Sequence, residues 1–131
     1  MIVAAVVAGV LSVQGCRGGR TGEAVNMAGR FVNAYFAADY DEAASLCGEE
    51  LKAKVLESAR QIGSLPDSLR SAFLELAEEM EPHTGDVYEL GPDSVIVDFD
   101  ILIPDEMEPM RNSVVVVRDR DARQWFVAEI R

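Results

Sequence analysis

At Thr84 the spacing of apolar residues changes from helical to alternating, and it does not change back. Upstream, apolar side chains recur at steps of three and four; downstream, at steps of two. A chain that spends its helices first and its strands last has few ways to bury both. The expected solution is α+β, with N-terminal helices laid on one face of a four-stranded antiparallel sheet, because alternating α/β folds need strands between the helices. At 131 residues the chain suits one domain.

The helical part divides at its breakers. Glu23 to Ala38 places Met27, Phe31, Ala34 and Ala38 on a broad apolar face, with Glu23 in the first turn. Asp39 to Glu42 opens a short second helix through Leu46. Glu49 to Arg60 makes a third, with Leu51, Val55, Leu56 and Ala59 on one side. The run Ile62 to Pro66 interrupts the chain. A fourth helix begins at Pro66 or Asp67 and turns Leu69, Phe73, Leu76, Ala77 and Met80 inward, until Pro82 stops it.

The sheet reads as strands over Asp86 to Leu90, Ser94 to Ile103, Asn112 to Arg118 and Gln124 to Ile130, joined by turn chemistry at Gly91 to Asp93 and Asp119 to Arg123. Ser94 to Ile103 alternates cleanly. Val95, Val97, Phe99 and Ile101 belong to the dry face under the first helix, with Phe31 opposite; Asp98 and Asp100 belong to the other face. In the last two strands, Val115, Val117, Phe126, Ala128 and Ile130 are expected inward. That leaves Ile96, Leu102, Val114, Val116, Trp125 and Val127 on the outer face, a candidate homodimer patch, since monomers rarely leave such a surface uncovered. The competing reading folds Trp125 into the domain's own core.

The amino terminus has a separate logic. Ile2 to Val13 is uncharged and almost entirely apolar. Twelve helical residues would span about 18 Å, short of a hydrocarbon core of about 30 Å. The stretch ends in Val13-Gln14-Gly15-Cys16 and resembles a bacterial lipoprotein signal, although no basic residue follows Met1 and Gln14 is an uncommon occupant of its position. The resemblance implies removal of residues 1–15, acylation of Cys16 as the membrane anchor, and a location in the bacterial cell envelope facing outside the cytoplasm. An ordinary secretory signal or uncleaved anchor is the alternative. Residues 16–22 then read as lipidated Cys and flexible tether, and residues 23–131 as the folded domain.

Within that domain a second resemblance is carried by two segments. Phe31-Val32-Asn33-Ala34-Tyr35-Phe36-Ala37-Ala38-Asp39-Tyr40-Asp41-Glu42-Ala43 is similar to the opening helix and following segment of the NTF2-like superfamily. Asp119 to Val127, a charged turn before a Trp-containing strand, is similar to its final hairpin. The resemblance implies a cone of helices on a curved sheet, dimerisation through that sheet in many members, and either a pocket enzyme of the ketosteroid-isomerase or dehydratase type or a binding module without catalysis.

Chemistry-bearing residues are sparse. His83 is the only histidine and is read as a surface residue; with one free thiol it cannot complete a zinc tetrahedron. No glycine-rich phosphate loop is present. Ser71 to Met110 holds twelve acidic residues and no Lys or Arg, yet Asp105, Glu106 and Glu108 lack calcium-loop spacing and read as solvated. Cys47 reads as a buried hydrophobe. An isomerase-type base among Asp98 and Asp100 would have to face the pocket, and strand parity sends both the other way. A net charge of −11 argues against nucleic acid and against adsorption to anionic lipid headgroups. The expectation is a lipid-anchored binding or interaction module with no cofactor or metal, taking a small ligand or an envelope protein; the alternative is the pocket enzyme.

Overall fold

The computed structural model describes residues 14–131, with side chains from Thr21 onward. Four helices, α1 (Gln14–Phe36), α2 (Tyr40–Ser45), α3 (Glu49–Gly63) and α4 (Asp67–Glu79), precede four strands, β1 (Glu81–Gly91), β2 (Ser94–Leu102), β3 (Met110–Asp119) and β4 (Gln124–Ile130). The strands form one open antiparallel sheet in the order β1-β2-β3-β4, with the helices on one face: the α+β architecture expected from the period switch.

Helix α1 crosses all four strands. Ala24 and Ala28 are fully buried, and their small side chains let the helix lie close to the sheet; Phe31 and Val32 follow at 1% exposure. It ends at Phe36, two residues before the expected Ala38. Ala38 takes φ 64°, the Asp39 N–H donates to the Ala34 carbonyl and the Ala38 N–H to that of Tyr35, which together make a Schellman closure. Asp39 then caps α2, its carboxylate accepting from the Glu42 N–H at 3.3 Å. At its other end α1 runs through 16–22. The tether reading is corrected there, because a packed helix propagates outward at one hydrogen bond per residue fixed. Residues 1–13 and the side chain of Cys16 lie outside the described residues.

Strand β2 alternates as expected: Val95, Val97, Phe99 and Ile101 are at most 2% exposed. Strands β3 and β4 do not follow the expected parity. The register pairs Val95 with Val116 and Val97 with Val114, which sends both β3 valines into the core and Val117 to the outer face. Four consecutive valines carry no alternation, so the neighbour strand decides which pair faces in. On β4, Val127 pairs with Val116 and Ile130 with Val114, with an irregularity between that leaves Ala128 as the extra residue. Trp125, Val127 and Ile130 therefore all meet the core, the first two at 6% and 0% exposure, while Phe126 turns out.

The candidate dimer patch accordingly dissolves. Val114, Val116, Trp125 and Val127 are core residues; only Ile96, half-buried, and Leu102, 43% exposed, remain on the outer face.

Two other expectations are revised. Strand β1 starts at Glu81, so Pro82 lies within it. An edge strand tolerates a proline, whose missing N–H need not pair. Helix α4 buries only Ala77, at 4%; Leu69 and Leu76 are 58% and 41% exposed, and Phe73 and Met80 are half-buried. Helix α3 buries Leu51 and Val55 but exposes Leu56. The remaining edge of the sheet is partly covered, since the Val127 N–H donates to the Leu46 carbonyl at 2.8 Å and the Gly48 N–H to the Val127 carbonyl at 2.9 Å.

Candidate functional site

A flank of α1 beside the face that meets the sheet, the α2–α3 connection and the β3–β4 turn do not close on one another. Between them lies a cleft of about 630 Å³. Helix α1 contributes Glu23, Asn26, Met27 and Arg30 at helical spacing. The connection contributes Ser45 to Cys47, and the hairpin contributes Asp119 and Ala122 to Phe126.

Each wall is held by local chemistry. Arg30 is fixed by Glu42 of α2, Nη2 to Oε2 at 3.0 Å. Asp119 closes the β3–β4 turn by accepting from the N–H groups of Asp121 and Ala122 at 2.9 and 3.2 Å. Arg123 ends that turn at φ 56°, a left-handed conformation that aims the chain back into β4. Its guanidinium has no ion-pair partner among the described residues. Cys47 donates its thiol to the Ala43 carbonyl at 3.2 Å, and burial pushes its pKa up to about 11. It is thus a neutral thiol at ordinary pH, far from a reactive thiolate.

Trp125 carries the polar surprise. Its ring is 6% exposed and lines the cleft, yet its Nε1 has no hydrogen-bond partner. A buried indole N–H normally finds an acceptor. The sequence held Trp125 either on an outer patch or in the core, and neither reading placed it on a cleft. The signal that would have found it is the bulge at Ala128, which alternation does not reveal.

Of the other singled-out residues, Asp98 and Asp100 face away from the helices. Asp98 accepts from the Ser113 hydroxyl at 2.7 Å and Asp100 lies 3.4 Å from Arg111 Nε. Neither lines the cleft. His83 sits exposed on β1, 3.6 Å from Glu81. Asp105, Glu106 and Glu108 are exposed in the β2–β3 loop, and no cluster of three metal-ligating side chains occurs among the described residues. Among those residues, too, no helix is long and apolar enough to cross a membrane. No family model matches the sequence, and no curated protein is similar to it.

Proposed function

We propose that the protein is a lipid-anchored, extracytoplasmic binding module of NTF2-like type, and that the cleft between α1 and the β3–β4 hairpin is where its ligand sits. The observation that carries the site is Trp125, which lines the cleft and whose indole N–H is buried without a partner. A donor left without a partner when buried costs about 1–3 kcal/mol, and an acceptor supplied by a ligand returns it. Met27, Leu46 and Phe126 offer apolar contact, and the Arg123 guanidinium offers a charge. The ligand this describes has a flat apolar body and a carboxylate or other anionic acceptor.

The test is an NMR titration with 2-naphthoate. Trp125 is the single tryptophan, so its indole N–H is one assignable resonance. Saturable movement of that resonance, weakened by Arg123→Gln, supports the site. An unmoved resonance at millimolar probe, with no resonance of the cleft residues shifting, refutes it. The anchor is tested separately by intact mass from the native host. The expected mature chain begins at acylated Cys16, and Cys16→Ser should release it from the membrane. Retention of residues 1–15 would overturn that half of the reading.

A further inference from the structure

The negative charge of this chain is distributed along one axis. Helix α1 passes the end of the sheet that holds the β1–β2 and β3–β4 turns at Glu23, which lines a cleft with Asp119 and Ala122. It finishes at the other end, where Tyr35 and Phe36 share a cavity with Met80, the residue before β1. The two turns are tied into one pole. Asp93 Oδ2 meets Arg120 Nε at 2.7 Å, Asp93 Oδ1 lies 3.7 Å from Arg118, and the Arg118 N–H donates to the Asp93 carbonyl.

This pole holds Arg118, Arg120 and Arg123, with Arg17 and Arg20 on the first turns of α1. Those five of the twelve basic residues balance Glu23, Glu89, Asp93, Asp119 and Asp121. The whole net charge of −11 therefore lies on the rest of the molecule. The far end is its extreme: Glu78, Glu79 and Glu81 at the α4–β1 junction and Asp105, Glu106 and Glu108 in the β2–β3 loop, where Arg111 and Arg131 are spent on Asp100 and Glu129. From Glu23 at one end to Phe36 at the other, α1 rises about 20 Å, against a screening length of about 8 Å. At a charged surface only the end that touches it feels the field.

The chain enters this neutral pole directly. Residues 2–13 are uncharged and almost entirely apolar in sequence, and Cys16 lies within α1, near its start. We infer that the protein stands on an anionic phospholipid surface on the pole formed by the two turns, with Arg120 and Arg123 toward the headgroups and the acidic end held away in solvent. Arg120 is 80% exposed and spends only Nε on Asp93, which leaves its terminal nitrogens for phosphate oxygens. Any other pose of the anchored domain brings uncompensated carboxylates into a negative surface potential. The cleft opens at this same pole, so a ligand would reach it from the headgroup layer.

The inference rests on the anchoring half of the proposed function, and the experiment separates the two. The full lipidated chain, carrying Cys47→Ser and either Ala122→Cys on the β3–β4 turn or Met107→Cys at the far end, is labelled with an environment-insensitive fluorophore. It is then reconstituted into vesicles bearing headgroup-attached quenchers. In vesicles containing phosphatidylglycerol, the label at 122 should be quenched several-fold more than the label at 107. The difference should shrink in pure phosphatidylcholine or at high salt, and Arg120→Glu with Arg123→Glu should erase it while the protein still floats with the vesicles. Circular dichroism of each variant confirms the fold. Equal quenching at both positions in the anionic vesicles would overturn the pose and leave the anchor standing. A chain that does not float with vesicles at all would overturn the anchor and the pose together.

Discussion

Ala38 holds a left-handed conformation that costs an L-residue roughly 1–2 kcal/mol, and the Schellman closure requires it there. Glycine meets the same geometry without that cost, at the expense of a floppier unfolded chain. Ala38→Gly should therefore stabilise the protein by about 0.5–1 kcal/mol, read as a higher urea midpoint at unchanged slope. Cys47 tests burial. With its pKa near 11, about one thiol in a thousand is ionised at pH 8, and iodoacetamide should label the native protein far more slowly than the denatured one. The folded pKa lies above the ordinary 9.0, so the unfolded state loses its proton first. Stability linked to this group is present below pH 9 and is lost as pH rises through 11; Cys47→Ala should flatten that part of the profile. Gly48 is held for space: a Cβ there would meet the Phe126 ring at 2.8 Å. Gly48→Ala should cost about 1–3 kcal/mol, and much less in a Phe126→Ala background, as a double-mutant cycle would show.

Strands β3 and β4 carry their faces as a pair, because the register of β3 on β2 sets one and the bulge at Ala128 sets the other. Adjacent valines should then differ sharply. Val116→Asp puts an unpaired carboxylate into the core and should abolish cooperative unfolding, whereas Val117→Asp, on the half-buried outer face, should leave a folded protein. The opposite ranking would restore the parity read from alternation. Phe99→Ala should cost about 3–5 kcal/mol, as for any fully buried phenylalanine. In α4, Leu69→Ser should change stability by less than about 0.5 kcal/mol despite the helical spacing, since that leucine is 58% exposed.

The whole molecule bears −11 on 131 residues, and that charge is uneven. Self-repulsion of the acidic portion opposes compaction, so added sodium chloride should raise the urea midpoint through screening. Charge reversal at the far end, Glu106→Lys with Glu108→Lys, should mimic part of that gain at low salt and little of it at high salt. A midpoint insensitive to salt would show that the acidic residues are too dispersed to repel. Net charge alone led to the expectation that anionic lipid repels this protein. The distribution of the same residues over the fold separates a neutral pole from an acidic one, so repulsion depends on which end is presented.

Periodicity was enough for the class of fold and for β2, whose alternating residues admit one burial pattern; on α1 it found Phe31 and Ala34, which are buried, but also Met27 and Ala38, which are half-buried, and it passed over Ala24. Those readings depend on local geometry, which is written along the chain. The faces of β3 and β4, the idle apolar face of α4 and the cleft beside Trp125 depend on contacts between segments far apart in sequence. A run of valines has no preferred face until β2 pairs with it, a bulge inverts parity without altering composition, and a helix with the right spacing still needs a surface to pack against. The cleft exists because α1, the α2–α3 connection and the β3–β4 turn stop short of one another, and only their relative placement in three dimensions decides that.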